Sequence, residues 1–222
     1  MKNLTLLIPA KNEKDSLPIV LNELKDIDLT ITVILEKNDV ETIEAIKNYD
    51  CEILYQINKG YGDALIHGLN HIKTKYFCIF NADGSFNPIE LKDMYKRLEN
   101  KDADIIFATR YEKNCSSDDD TLVTYVGNFI FTLLGKVFFK LNVTDILYTF
   151  VMGKTEDAKK LNLISKDFAL CVELPIKAKR NNLKINTSKS HERKRIAGIK
   201  KVNAIKDGIL ILKGMIKLYF SK

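Results

Sequence analysis

Asn81-Ala82-Asp83-Gly84 is an acidic stop at the end of an apolar run, Tyr76–Phe80. An aspartate on such a loop can hold a divalent cation, because hard cations take carboxylate and amide oxygens. Asp-Gly is equally a common turn pair, so the loop alone fits a turn as well as a metal site. Three more polar loops follow apolar runs: Pro9–Glu13, Glu36–Asp39 and Asn58–Gly62. Two of these carry carboxylates, and the third joins Asn58 and Lys59 to Gly60 and Gly62. Carboxylates beside amide-rich, flexible backbone suit a nucleoside diphosphate held through a divalent cation.

Such loops need a scaffold. Leu4–Ile8, Thr30–Leu35, Cys51–Tyr55, Tyr76–Phe80 and Asp104–Thr109 are apolar runs of strand length. Helices are predicted between them, from Ser16-Leu17-Pro18 towards Asp26, over Glu41–Asn48, from Gly60 to His71 and over Pro88–Leu98. Asn87 before Pro88, with Glu90 three residues after Asn87, is the pattern of a capped helix start. This alternation predicts an α/β domain, a mostly parallel doubly wound sheet covered by helices. In that architecture the loops at the carboxyl ends of the strands gather along one edge.

The second half is less regular. Glu112–Thr121, with Asp118-Asp119-Asp120, reads as a solvated loop whose Asp120 caps the next helix. Leu122–Leu141 is predicted as a helix apolar round much of its circumference, and core packing is favoured over a lipid-facing role. Phe150–Met152 and Leu183–Thr187 read as strands, Thr155–Leu161 and Phe168–Asn181 as helices. Glu173 stands among Val172, Leu174 and Ile176, and a buried carboxylate needs a partner or a raised pKa. It is therefore a candidate functional group or one half of an ion pair. Val202–Phe220 is a final helix with Ile205, Ile209, Leu212, Ile216 and Tyr219 on one face and Lys206, Lys213 and Lys217 beside it.

At 222 residues, 45 % hydrophobic and 29 % charged, the chain is sized for one large domain with a substantial core. Met1–Ala10 lacks a signal-peptide pattern, and the stretch Val126–Leu134 is short of the ~20 residues of a membrane span. Cys51, Cys78, Cys115 and Cys171 lie far apart without zinc spacing, so reduced thiols and a cytoplasmic setting are expected. The net charge of +6 is unevenly spread. Ile176–Lys222 holds 14 Lys and Arg against Glu192 and Asp207, leaving 21 basic and 27 acidic residues in the first 175. A basic end on an acidic body implies an anionic partner: nucleic acid, a membrane surface or a phosphorylated substrate.

Taken in order, these segments resemble the glycosyltransferase family 2 enzymes of GT-A fold, in particular the dolichyl- or polyprenyl-phosphate sugar synthase branch. The resemblance covers nearly the whole chain. Leu7-Ile8-Pro9-Ala10-Lys11-Asn12-Glu13 is similar to the family's opening strand and turn, and Asn58–Ala64 with Gly68 to its glycine-rich segment. Asn81–Gly84 occupies the place of the D-x-D metal motif, and Ala108-Thr109-Arg110-Tyr111 that of the G-S-R-Y turn. Arg195–Lys201 resembles the late R-x-x-G-x-S-K element. Three departures stand out. Leu35-Glu36 replaces a pair of aspartates, Asn81 replaces the first metal aspartate, and Tyr148-Thr149 replaces a small Ser-Gly pair after Asp145.

The resemblance implies a GT-A domain over residues 1–200, with a nucleotide-sugar half (1–110) and an acceptor half (111–200), and a basic amphipathic helix over 201–222. It implies inverting transfer of a sugar from a UDP- or GDP-sugar, with Mg²⁺ or Mn²⁺ held by Asp83 and Asn81. Pro9, Ala10, Asn12, Glu13, Glu36, Lys59, Gly60, Gly62 and Ala82 would surround the nucleotide sugar, and Arg110, Arg195 and Lys201 would contact phosphates. A phosphate acceptor is already an anionic nucleophile and needs no base. For a hydroxyl acceptor, Asp145 or Glu173 would serve as one. The acceptor implied is a lipid phosphate or a glycan. Lipid-phosphate chemistry favours membrane contact for the basic C-terminal helix, compatible with the inner face of a membrane, over docking on its own domain or a second subunit.

Three other readings are weighed. A catalytically impaired homologue that binds nucleotide sugars or scaffolds a partner is motivated by Asn81, Leu35 and Tyr148-Thr149. A dinucleotide-binding reading of Gly60-Tyr61-Gly62 fails because Leu65 stands at the third glycine position. Nucleic-acid binding is not expected, since no reading motif accompanies the basic end.

Overall fold

The structure, a computed structural model, describes residues 1–197 and 204–221. Its first half alternates as predicted: β1 (Leu4–Pro9), α1 (Leu17–Leu24), β2 (Thr30–Leu35), α2 (Val40–Ile46), β3 (Glu52–Tyr55), α3 (Tyr61–His71) and β4 (Tyr76–Ile79). A 3₁₀ turn over Pro88–Glu90 leads into α4 (Leu91–Glu99), then come β5 (Ile105–Thr109) and the short β6 (Ser116–Ser117). The second half holds α5 (Leu122–Phe139), β7 (Val151–Lys154), α6 (Thr155–Lys160), α7 (Leu170–Arg180), β8 (Ile185–Lys189), β9 (His191–Glu192) and α8 (Ala204–Phe220).

Seven strands form one sheet in the order β3-β2-β1-β4-β7-β5-β8, and β6 pairs with β9. All neighbours in the large sheet are parallel except β7, which runs antiparallel to both β4 and β5. The central strands are continuous apolar runs because helices cover both faces. Side chains alternate between two cores with the strand period of two. Leu4, Leu6 and Ile8 of β1 enter one core with Tyr76 and Cys78 of β4, while Leu7, Phe77 and Ile79 enter the other. Burying each such side chain contributes roughly 1.5–3 kcal/mol.

The chain runs outward from β1 to β3 and returns to β4 on the other side of β1. The order therefore reverses between β1 and β4, where open sheets leave a crevice beyond their carboxyl ends. The loops Pro9–Glu13 and Asn81–Ser85 flank it.

Three expectations change. Asn87 does cap the turn, accepting from the Ile89 N–H at 3.1 Å, but Glu90 does not complete a capping box. Its carboxylate instead accepts from Ser190 Oγ at 2.6 Å and His191 N–H at 2.9 Å, tying the β8–β9 link to the start of α4. The cap of α5 is Thr121, in a reciprocal box with Thr124, rather than Asp120. α8 is not a separate unit: Ile211, Met215 and Leu218 belong to the second core.

Candidate active site

A cleft of about 720 Å³ opens at the switch point. Pro9, Ala10, Glu13 and Glu36 line it from the loops after β1 and β2. Asn81, Ala82 and Asp83 enter from the loop after β4, Arg110 from the end of β5, Gly60 from the start of α3, and Arg195 from the segment after β9. Of the other expected donor-site residues, Asn12, Lys59 and Gly62 lie outside the lining, and Lys201 lies outside the described residues.

Asp83 is held firmly. Its Oδ1 accepts from Ser85 N–H at 3.0 Å and Ser85 Oγ at 2.7 Å, and Asn81 Nδ2 donates to the same Ser85 Oγ at 3.2 Å. Behind the loop, Phe86 is fully buried, stacked on Phe150 with centroids 4.6 Å apart and edge-on to Phe80. The segment after β9 crosses above, where Ile196 N–H donates to the Asp83 carbonyl at 2.8 Å. Gly84 sits at φ +81°, and a Cβ there would lie 2.3 Å from Ile196 Cδ1, so this crossing requires glycine.

Asp83 Oδ2 faces Arg195 Nη2 at 3.5 Å, and the same guanidinium donates to Asp119 at 3.0 and 3.3 Å. The hydrogen bond to Asp119 is the main cause of the raised pKa of Arg195. The aspartate run read as a solvated loop is thus partly turned into the cleft, with both Asp119 and Asp120 in the lining. Pairing of β6 with β9 folds that loop back: Asp118 N–H donates to the Glu192 carbonyl at 2.8 Å. Asp120 accepts from Tyr111 Oη and Thr124 Oγ1.

The cleft lining contains seven carboxylates against Lys11, Arg110 and Arg195. Lys11 is paired with Glu36 at 2.9 Å. Arg110 is neutralised as well: Asp145 receives its Nε at 2.7 Å and Nη2 at 2.9 Å, and Glu192 its Nη1 at 2.9 Å. Burial disfavours the Arg110 charge, but Asp145 outweighs it and raises the pKa. The guanidinium also lies 4.4 Å from the Tyr148 ring centroid. An anionic ligand entering this acidic cleft needs a cation to offset the repulsion. Among the described residues no group of three or more His, Cys, Asp or Glu side chains surrounds a single point. Asp83 with Asn81 still fits Mg²⁺ or Mn²⁺, since Mg²⁺ is commonly held by one or two carboxylates and completed by substrate phosphates and water.

Neither expected base is placed as one. Asp145 is fully buried, and its oxygens accept from the Arg110 backbone, the Arg110 side chain and Asn128 Nδ2. Glu173 is also fully buried, is not among the lining residues, and accepts from Ile164 N–H at 3.0 Å, Ser165 N–H at 2.7 Å and Lys177 Nζ at 2.7 Å. Both carboxylates are saturated with donors and hold structure. Glu173 pins the loop that carries Lys166. Cβ atoms at Gly60 and Gly62 would lie 2.1 Å from the Lys166 and Ser165 carbonyl oxygens, so these glycines admit that loop. Asn12 likewise shapes its turn, at φ 51° with its N–H donated to Asp39 at 2.7 Å.

Burial pushes the Glu173 carboxyl up, but Lys177 and the Ser165 and Ile164 N–H groups outweigh it, leaving the pKa below the usual carboxylate value. A depressed folded-state pKa gives stability that is complete above the unfolded value, about 4.3, and is lost as pH falls through the folded one. Glu173→Gln is expected to cost about 1–3 kcal/mol at pH 7. Urea unfolding should show the gap to wild type narrowing as pH is lowered to about 3.5. A gap independent of pH would remove the ionised carboxylate from the explanation.

Sequence and structure comparisons identify the family and the fold. The glycosyl transferase family 2 profile matches residues 5–161. An uncharacterized protein of Methanocaldococcus jannaschii is 26 % identical over 191 residues, 81 % of this chain and 77 % of that protein. Glucosyl-3-phosphoglycerate synthase from Mycobacterium tuberculosis, solved with Mn²⁺, uridine-diphosphate and phosphoglyceric acid, aligns with a TM-score of 0.76 at 13 % identity. That match covers 100 % of this chain and 80 % of the mycobacterial one. Its complex with Mg²⁺ and uridine-diphosphate aligns with a TM-score of 0.71 at 12 % identity, over 98 % and 79 % of the two chains. The shared architecture is the GT-A fold.

Proposed function

This chain belongs to glycosyl transferase family 2, and from that premise we propose that it transfers a sugar from a UDP- or GDP-sugar to a phosphate group on a lipid acceptor, with inversion at the anomeric carbon. The supporting observation is the two-part cleft. Its polar half holds Asp83, Glu36 and Arg195, and its other half, between α5 and α8, offers Val123, Phe131, Ile205 and Ile211 with Thr124, Asn128 and Asp207 among them. A nucleotide diphosphate suits the first half and a hydrocarbon chain the second.

Asp83 and Asn81 would hold Mg²⁺ or Mn²⁺ on the donor's diphosphate, where the ion offsets charge on the departing nucleotide. Glu13 and Glu36 lie on the nucleoside side. Arg195 exchanges its contact with Asp83 for a phosphate oxygen. Saturation of Asp145 and Glu173 favours an acceptor that is already an anionic nucleophile, for which no proton need be removed. The single carboxylate of the metal loop favours a second reading, a nucleotide-sugar binder with impaired turnover.

UDP, GDP and their sugars, each screened with and without Mn²⁺, test the donor half. At a hundredfold excess over Kd, a cognate nucleotide should stabilise by about 2.7 kcal/mol, a rise of roughly 5–10 °C in the melting midpoint. That rise should depend on the metal. No shift with any nucleotide would overturn the proposal, and a shift without sugar transfer or slow donor hydrolysis would favour the second reading.

A further inference from the structure

Of the eighteen residues of α5 only Asn128 and Gly135 are buried, so the helix expected to pack in the core faces outward along most of its length. Ile205, Ile209, Leu212 and Ile216 of α8 are likewise exposed. The loop that carries Asp83 is the opposite case. It is held from behind by a side chain 107 positions later than Phe86.

Ser85 connects both candidate metal ligands of that loop. Its hydroxyl donates to Asp83 Oδ1 at 2.7 Å and accepts from Asn81 Nδ2 at 3.2 Å. Its N–H donates to the same Asp83 oxygen at 3.0 Å. These bonds occupy Asp83 Oδ1 and the Asn81 amide nitrogen, and leave Asp83 Oδ2 and Asn81 Oδ1 as the oxygens to meet a cation. Ser85 is itself buried, so its position sets the aim of both.

Arg193 fixes Ser85 and Phe86 in turn. Its N–H donates to the Ser85 carbonyl at 2.8 Å, and its Nη2 to the Phe86 carbonyl at 2.7 Å. The same guanidinium reaches Glu23 of α1, with Nη1 at 3.1 Å and Nη2 at 2.8 Å. Leu21 and Leu24 of that helix are buried in the first core, so the clamp ends on a rigid element. A guanidinium suits this task because its planar fork donates in fixed directions and its bonds to a carboxylate are charge-assisted. Its Nε is buried with no acceptor among the described residues, so the two terminal nitrogens carry the anchoring. Ile196 N–H, bonded to the Asp83 carbonyl at 2.8 Å, secures the other side of the loop.

We propose that Arg193 is a positioning residue of the metal loop, an outer clamp that acts through Ser85 to aim Asp83 and Asn81 at the cation. The inference rests on the donor reading above, in which those two residues hold Mg²⁺ or Mn²⁺. Arg193 does not line the cleft, so it works on the loop and not on the ligand. With one carboxylate in the loop, a cation gains less from charge and depends more on oxygens already held in place.

Arg193→Met keeps the length of the side chain and removes the fork. Hydrogen exchange of the full chain, without metal or nucleotide, should speed up over residues 82–87 on the order of 10-fold and stay unchanged over β2. With UDP or GDP present, half-saturation by Mn²⁺, followed through the paramagnetic resonance of the free ion, should rise about 10-fold. The sign is diagnostic, because charge alone predicts tighter Mn²⁺ binding once a cation is removed beside Glu23. Arg193→Lys keeps the charge without the fork and should fall between Arg193→Met and wild type. Ser85→Ala cuts the link itself and should weaken Mn²⁺ binding at least as much as Arg193→Met. Unchanged exchange over 82–87, faster exchange over β2 as well, or Mn²⁺ binding that is equal or tighter in Arg193→Met would each overturn the proposal. A wild type that binds neither nucleotide with Mn²⁺ would instead refute the donor reading, and the exchange measurement would still decide the clamp.

Discussion

Asp83→Ala is expected to remove metal-dependent donor use while leaving the fold intact, with kcat/KM lower on the order of 10²–10³-fold. The cleft lining is rich in carboxylates, and its basic groups Lys11, Arg110 and Arg195 are already ion-paired. A diphosphate bound there as proposed would depend on a cation, and Asp83 is the carboxylate at the end of β4 that would hold it. The structural loss is small: two hydrogen bonds from Ser85 and one contact at 3.5 Å from Arg195, at about 1 kcal/mol per hydrogen bond. The aromatic cluster under Phe86 keeps the loop in place. Titrating Mn²⁺ against donor hydrolysis, with melting midpoints as a control, reads both effects. Asn81→Asp is the companion variant and should raise the apparent metal affinity by restoring a charge. Mn²⁺-dependent activity surviving in Asp83→Ala would move the metal elsewhere in the cleft.

Asp145→Ala is expected to be the most destabilising single change near the cleft, by about 3–5 kcal/mol. Its carboxylate, fully buried, accepts from Arg110 and Asn128. Removing it leaves a buried guanidinium with Glu192 as its remaining ion-pair partner and strips Asn128 of an acceptor that anchors α5. For a chain of this length the melting midpoint should fall on the order of 10 °C. Asp145→Asn should not rescue it, because an amide N–H₂ would face the guanidinium or the Asn128 N–H₂. The measurement separates a structural from a chemical role. A variant with wild-type stability and a collapsed kcat would restore Asp145 as a base; equal loss of stability in both variants supports the anchoring role.

The order of strands and helices was legible because its causes are local. Buried parallel strands are continuous apolar runs, and Asn87-Pro88 or Gly60 mark helix starts by backbone preference alone. The loop Asn81–Gly84 was legible for the same reason, since a carboxylate after a buried strand at the switch point has few uses other than a turn or a ligand. The roles of Asp119, Asp145 and Glu173 were not. Asp119 reaches the cleft because Ser116–Ser117 pairs with His191–Glu192, strands 75 residues apart. Asp145 meets an arginine 35 residues earlier in the chain, and Glu173 caps a loop through backbone N–H groups that carry no residue signature.

α5 shows the limit most plainly. Its apolar composition fits a core helix and an interfacial one equally, because hydrophobicity reports the need for a cover and not what supplies it. Local sequence, then, settled the GT-A order of elements, the acidic edge and the place of Asp83. Tertiary structure alone decided which carboxylates are neutralised by arginine and lysine, that Gly60 and Gly62 admit a neighbouring loop, and that α5 and α8 turn their apolar faces outward. The reason is physical: strand and helix formation depends on neighbours within a few residues, whereas desolvation, ion pairing and exposure depend on groups that only the folded chain brings together.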